Sequence, residues 1–289
     1  MSRTVRIDGY RCTASAGLLD ALGPAGSLEE EVARIRDRAT RIHGVPGDPI
    51  RNEMVQLGVG GSPVEAIVKT FPAGSWRAGL DRAFRGSTRA ERSWHAAEAL
   101  VRHGIATPEP LLLMTPEGPT AGRPSFYVAR YLSGAIEIRR LTDKLRWNQT
   151  DAELAPLDVG RILRAVGRLA RALHRAGIWH RDLTAGNLIL WPWPGPEPEP
   201  ELYLIDLDRA RVDRAITPAV RIRELGRFPL FQDEHRRLLL EGYYAPEPVP
   251  RFEAALYHLH VRAFHRRTRL RLKIRKYLAQ RPRNPGRAP

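Results

Sequence analysis

His180-Arg181-Asp182-Leu183-Thr184-Ala185-Gly186-Asn187, followed further on by Leu204-Ile205-Asp206-Leu207-Asp208, decides the reading of this 289-residue chain. The first stretch has the form H-R-D-x-x-x-x-N. Asn187 stands five residues beyond Asp182, enough chain to turn back and present its amide beside the aspartate. The second stretch is a short apolar strand that ends in a carboxylate, Asp206. Together they offer one carboxylate to meet an acceptor hydroxyl, and an amide and a second carboxylate to hold a hard divalent cation on nucleotide phosphates. A lone His-Arg-Asp would carry little weight in a chain with 47 Lys+Arg. The spacing, and a strand lysine far upstream, give it weight.

Upstream, Met54–Val59 predicts a strand, Gly60-Gly61-Ser62-Pro63 a turn, and Val64–Phe71 the next strand, with Lys69 near its end. Residues 88–103 predict a helix with Trp94, Ala97, Leu100 and Val101 on one side, closed by Gly104. Thr107-Pro108-Glu109-Pro110 opens an extended connection. Leu111–Met114 and Ser125–Leu132 follow as strands. In the second half Val159, Ile162, Leu163, Val166, Leu169 and Leu173 recur at helical spacing up to Gly177. Beyond the decisive stretch, Asn187–Trp191 and Glu201–Ile205 predict short strands around a stiff Pro-rich loop, and helices are expected at about 219–228, 233–243 and 252–280. In the last of these Leu256, Phe264, Leu270, Ile274 and Tyr277 form a broken apolar stripe.

This order predicts an α+β chain in two lobes. Residues 41–132 form a small β-rich lobe with one key helix, and 133–250 a larger, mainly helical one. Residues 251–289 are a basic helix and tail. Residues 1–40 are expected as an extension packed on the first lobe, with Ser27 capping a helix whose first turn holds Glu29, Glu30 and Glu31.

The net charge is +15, and it is uneven. After Glu253 no acidic residue occurs, while eleven Lys and Arg do, from Arg262 to Arg287. Such a tail attracts polyanions or an anionic membrane surface. One cysteine, Cys12, excludes an intrachain disulfide and a Cys-based metal site, in keeping with a reducing compartment. No apolar run reaches the ~18 residues of a membrane span, and the N-terminus does not read as a signal peptide. The expected place is the cytoplasm.

The arrangement resembles the protein-kinase-like fold and, within it, the bacterial lipopolysaccharide core kinases, the Kdo/heptose kinase family. The resemblance covers roughly residues 40–245. It is carried by Val64–Phe71, by Arg89-Ala90-Glu91-Arg92-Ser93-Trp94 leading to Gly104-Ile105-Ala106-Thr107-Pro108, by Leu173–Asp182, by Leu204–Arg211, and more weakly by Arg221–Phe228. It implies an ATP- and Mg²⁺-dependent kinase acting on a sugar hydroxyl of the lipopolysaccharide inner core, working at the inner face of the cytoplasmic membrane, with an anionic glycolipid as partner and no nucleic acid. Asp182 is then the residue that accepts or orients the hydroxyl proton. Asn187 and Asp206 are the metal ligands. Asp208 either adds a metal contact or pairs with Arg209 or Arg211. Lys69 meets the α- and β-phosphates and needs a carboxylate partner on the following helix, where Glu91 is preferred to Glu98. Arg130 and Leu132 stand beside the nucleotide. The loop Gly44-Val45-Pro46-Gly47-Asp48 is the preferred cover over the phosphates, ahead of Gly58-Val59-Gly60-Gly61, which reads better as a hairpin turn. His180 and Arg181 brace the loop rather than do chemistry, and His174 is a core or helix-end histidine.

Rival readings differ in acceptor. Ala245-Pro246-Glu247 spells the tripeptide that closes a protein-kinase activation segment, yet the stretch between Asp206 and Ala245 reads as helix. An aminoglycoside-type phosphotransferase shares the H-x-D-x-x-x-x-N logic, but the positive charge points to an anionic acceptor. A non-catalytic binding protein has no need of Lys69, Asp182, Asn187 and Asp206 together.

Overall fold

A computed structural model of the chain describes residues 2–24, 26–42, 51–58, 63–72, 86–117, 123–147, 151–155, 157–192 and 201–279. Asp8 and Gly9, both at positive φ, turn strand β1 (Arg3–Ile7) back on β2 (Tyr10–Ala14), with Ile7 opposite Tyr10. Two residues in the left-handed region suit the tight hairpin turn that matches strand twist. β2 then pairs with β5 (Pro110–Pro116). The sheet is completed by β3 (Arg51–Leu57), β4 (Val64–Phe71) and β6 (Ser125–Arg130), in the order β1-β2-β5-β6-β4-β3. Residues 1–40, expected as an extension, thus contribute two strands to the sheet itself.

The sheet is covered on both faces. α1 (Ala16–Leu22) and α2 (Leu28–Ile42, begun by Ser27 as expected) bury Leu18, Val32 and Ile35 against Tyr10, Met114 and Phe126. On the other side α3 (Arg89–Arg102) buries Trp94, Ala97 and Leu100 with Leu113 and Tyr127. This second core continues without a break into the helical lobe. Burial on both faces explains why β5 is apolar along its length rather than alternating.

The helical lobe begins with β7 (Ile136–Glu137) and α4 (Ile138–Trp147). α5 (Val159–Arg175) is capped by Asp158, which accepts from the Arg161 amide at 3.0 Å. β8 (Leu188–Leu190) and β9 (Leu202–Leu204) join β7 in a small sheet. The expected Pro-rich loop lies outside the described residues. α6 (Pro218–Leu225), α7 (Asp233–Tyr244) and α8 (Arg251–Ala279) follow. Helix, not an activation segment, fills most of the chain between Asp206 and Ala245, and Thr217 serves as the N-cap of α6. α8 docks through Tyr257 and Val261, both buried, with Leu256 of the expected stripe packed beside them, whereas Phe264 and Leu270 of that stripe are exposed, as are Phe252 and Leu259.

α5 and α7 cross closely. A Cβ on Gly167 would lie 2.2 Å from the Leu239 carbonyl oxygen and 2.6 Å from the Tyr243 nitrogen, backbone atoms that cannot swing aside. Gly167→Ala is therefore expected to lower stability by about 1–3 kcal/mol, despite alanine's better helix propensity. Urea unfolding checks this, and an unchanged midpoint would contradict it.

Candidate active site

The decisive stretch folds into a loop that hands its residues to one place. Arg181 takes a positive φ of 70°, uncommon for a side chain of its size. The turn is held from below: the Arg181 amide donates to Glu224 Oε1, and Arg227 donates to the Arg181 carbonyl. Glu224 is fully buried, and its Oε2 meets His174 Nε2 at 3.0 Å, while His174 Nδ1 meets the Tyr243 hydroxyl at 2.8 Å. His174 is thus a core histidine, in a buried chain of polar groups that links α5, α6 and α7 to the loop.

His180, also fully buried, donates from Nε2 to the Ile205 carbonyl at 3.0 Å, and its Nδ1 accepts from the Asp182 amide at 3.3 Å. It braces the loop against the strand that leads to Asp206. Asn187 closes a 3-10 turn over Ala185–Asn187, and its Nδ2 donates to the Asp182 carbonyl at 2.8 Å. That bond fixes the amide's orientation and leaves Oδ1 as the end that can coordinate. Asp206 sits in the left-handed region (φ 62°, ψ 59°) at the head of a second 3-10 turn, Leu207–Arg209. Thr107 donates to the Leu204 carbonyl at 2.8 Å, and the Leu204 amide to Ala106 at 2.9 Å. The Ala-Thr-Pro connection after α3 therefore anchors the strand that carries Asp206.

Between the lobes lies a cavity of about 490 Å³, the size of an ordinary small-ligand site. Lys69, Asn187 and Asp206 line it, and so do Arg130 and Leu132. Ile67, Ala129, Ile189 and Leu207 give it apolar walls. Arg130 is held by Glu109, whose Oε2 accepts from Nε at 3.0 Å and Nη2 at 2.7 Å. Lys69, on β4 opposite Asn52 and Tyr127, reaches across the lobes and pairs with Asp206. Burial pushes the Asp206 carboxyl up, but Lys69, with His180 and Arg209, outweighs it and holds the group below the ordinary carboxylate value. The pair therefore adds stability above the unfolded carboxylate's pKa of about 4 and loses it as pH falls through the lower folded value. Asp206→Asn should remove that part of the acid-side slope of stability against pH. An unchanged slope would contradict the pairing.

Asp182 stands beside the cavity. Its Oδ2 accepts from Arg209 Nη1 at 3.1 Å, and its side chain stays about a quarter exposed (28%), open to an incoming hydroxyl. Asn187 Oδ1 and the Asp206 carboxylate are hard oxygen donors on one wall. They fit magnesium, which takes one or two protein oxygens and completes its shell with phosphate and water. Among the described residues no cluster of three or more His, Cys, Asp or Glu offers a metal cage, so a site built from the protein alone is not on view.

Two expectations are corrected. Glu91 does not meet Lys69. It is the third residue of α3 and closes a capping box: Oε2 accepts from the Thr88 amide at 2.7 Å while the Glu91 amide donates to Thr88 Oγ1 at 3.1 Å. Its Oε1 takes Arg11 at 2.8 Å. Glu98 faces out beside His95. Asp206 is the carboxylate that Lys69 finds. Asp208, for its part, does not line the cavity beside Asn187 and Asp206, and its ion-pair partner among the described residues is neither Arg209 nor Arg211. It is buried away from the cavity, pairs with Arg89, and its carbonyl accepts from Arg92 Nε at 2.9 Å. The first turn of α3 thus grips the turn after Asp206 with two arginines. Gly44 and Gly47 lie outside the described residues, as does most of Gly58–Gly61. Sequence reasoning passed over Glu224, Arg89 and Arg92, whose contacts are long-range.

Comparison with known proteins bears on the family and the fold. A family model described as Lipopolysaccharide kinase (Kdo/WaaP) family matches residues 77–225, just over half of the chain. A solved structure described as "WaaP in complex with acyl carrier protein" is similar over 83% of this chain and 98% of its own, with a TM-score of 0.57 and 21% sequence identity, which speaks to the fold. No curated protein matches the chain in sequence. With lysine, asparagine and two aspartates set around one interlobe cleft, and with that family match, the chain belongs to the lipopolysaccharide kinase (Kdo/WaaP) family and is a kinase with an alcohol group as acceptor.

Proposed function

We propose that this kinase uses ATP with Mg²⁺ and phosphorylates a hydroxyl of Kdo or heptose in the lipopolysaccharide inner core. The observation that carries the proposal is the meeting of Lys69, Asn187 and Asp206 on one cavity wall, with Asn187 tied to Asp182. Magnesium, when bound, would neutralise charge on the phosphates. Asn187 and Asp206 would hold it, and Lys69 would supply a cation to the phosphates. Asp182 receives the acceptor hydroxyl by hydrogen bond and aims its oxygen. The sugar oxygen bonds to the γ-phosphorus, the bond to the ADP oxygen breaks, and the hydroxyl proton leaves toward Asp182. The choice between the two sugars is tested by offering Kdo-terminated and heptose-extended acceptors with ATP and Mg²⁺, and locating the phosphomonoester by ³¹P NMR. Product on one sugar of either acceptor supports the proposal, and none on either overturns it.

We further propose a place at the inner face of the cytoplasmic membrane, a reading that α8 supports. Among the described residues no helix is long and apolar enough to cross a bilayer. α8 instead leaves Phe252, Leu259 and Leu270 exposed, at spacings that put them on one side of the helix, in a segment rich in arginine. Apolar groups among cations suit an anionic surface, where each Lys or Arg contributes on the order of 1 kcal/mol. Deleting residues 262–289 should weaken sedimentation with anionic vesicles, and the difference should shrink as salt rises. Unchanged binding would make the tail structural only.

A further inference from the structure

Three guanidinium groups converge on one indole beside the catalytic loop. The Cζ of Arg223 lies 4.9 Å from the Trp179 ring centroid, that of Arg181 5.3 Å and that of Arg211 5.9 Å. They come from three parts of the chain. Trp179 and Arg181 flank His180, Arg211 follows the Asp206 turn, and Arg223 is on α6. The backbone brings them together: the Trp179 amide donates to Arg211 O at 2.8 Å, and the Arg211 amide to Trp179 O at 2.9 Å.

Each such contact is modestly attractive at an exposed site. Against that, three like charges are held within roughly one Debye length, about 10 Å, of each other. No carboxylate offsets them among the described residues at Arg211 or Arg223. The acids next to Arg223 and Arg181 in the chain are committed elsewhere: both oxygens of Glu224 are engaged by His174 and the Arg181 amide, and Asp182 is paired with Arg209. The group is accessible, since Arg223 is exposed and Trp179, Arg181 and Arg211 are half-buried. None of the four lines the nucleotide-sized cavity. Yet Trp179 is three residues from Asp182, no more than about 11 Å along the chain.

We infer that Trp179, Arg181, Arg211 and Arg223 form a subsite for an oxyanion, a carboxylate or a phosphate, carried by the acceptor close to the hydroxyl that Asp182 receives. The identity of that acceptor as a glycan rests on the function proposed above, but the anion subsite does not. Guanidinium forks match both oxyanions, and a bound anion would relieve the repulsion among the three charges. The positive field registers on a neighbour. His260, on α8, is lowered below the ordinary histidine value by burial first, and then by Arg223, Arg227 and Arg267.

The test has two arms. In the first, the nucleotide site is filled with a non-hydrolysable ATP analogue and Mg²⁺, and inorganic phosphate is added at constant ionic strength. The His260 titration is followed by NMR, its signal assigned from a His260→Asn variant. Phosphate should move the wild-type midpoint upward, because an anion beside Arg223 favours the protonated ring, and should not move it in Arg211→Gln/Arg223→Gln. An equal response in both proteins, or none in the wild type, overturns the subsite. In the second, transfer is compared for inner-core oligosaccharide, its carboxyl-reduced form and its dephosphorylated form. Each arginine removed should raise the acceptor KM about tenfold for the native glycan. It should do much less for whichever derivative lacks the group that binds. The KM for ATP should stay within about twofold, since these side chains do not line the cavity. Equal acceptor KM in wild type and variant overturns the inference. A wild-type protein that phosphorylates no glycan, yet shows the phosphate-dependent His260 shift, would sink the glycan reading and leave the anion subsite standing.

Discussion

Asp182→Ala is expected to lower kcat by about 10³-fold, within the range that a positioned proton acceptor contributes, while ATP binding by calorimetry stays within about twofold of wild type. The separation follows from which atoms do what. Asn187 is anchored by the Asp182 carbonyl, not its carboxylate, so truncating the side chain leaves the amide's bond in place. Lys69 and Asp206 meet each other and do not touch Asp182. Among the described residues the carboxylate pairs with Arg209, on the turn after Asp206. Asp182→Asn should be nearly as slow, because it retains the shape but accepts a proton poorly. Turnover comparable to wild type would remove Asp182 from the chemistry. A matched loss of ATP affinity would make its role structural.

Arg89→Met is expected to cost about 3 kcal/mol of stability in urea unfolding, the scale of a buried ion pair broken on one side. Asp208 is the reason. Its side chain is 2% exposed, and Arg89 is the partner of Oδ2. Oδ1 is buried with no hydrogen-bond partner among the described residues, where Arg89 is the side chain that meets the carboxylate. Without Arg89 a charge is left in a medium that solvates it poorly. The double change Arg89→Met/Asp208→Leu should recover most of the loss, because it removes the charge along with its partner. A single variant within about 0.5 kcal/mol of wild type would show that the pair holds nothing. Arg92, bonded to the Asp208 carbonyl and to Ser87 O at 2.8 Å, should keep the turn in register in every variant.

Much of the catalytic half was legible because the chemistry is local in sequence. Asp182 and Asn187 share one short loop, and Asp206 ends a strand whose apolar run is plain to read. Lys69 is placed on the right strand by the turn Gly60-Gly61-Ser62-Pro63, which sets the start of Val64–Phe71. What was misread was a matter of partners. Thr88-Arg89-Ala90-Glu91 is a capping box in its spelling, which commits Glu91 to the helix end rather than to Lys69. Asp8-Gly9 between two β-prone runs is a hairpin signal, and reading it would have placed β1 and β2 in the sheet. Arg89 and Glu224 left no such trace. Their partners lie far away in the chain, and in a sequence with 47 Lys+Arg a single arginine that grips a buried aspartate looks like any other. The stripe assigned to α8 held at Leu256 and not at Phe264 or Leu270, for a related reason: a helix bearing apolar groups on two sides does not say which side docks, and Tyr257 and Val261 do.

The central claim is that Lys69, Asp182, Asn187 and Asp206 form a phosphoryl-transfer site for a sugar hydroxyl of lipopolysaccharide. Its most direct test is transfer from γ-labelled ATP with Mg²⁺, offered in parallel to deacylated inner-core oligosaccharide, a generic protein substrate and an aminoglycoside, with Asp182→Ala as control. Label on the oligosaccharide alone, lost in the variant, is the predicted result. Label on protein or aminoglycoside instead, or label on the oligosaccharide that survives Asp182→Ala, would contradict it.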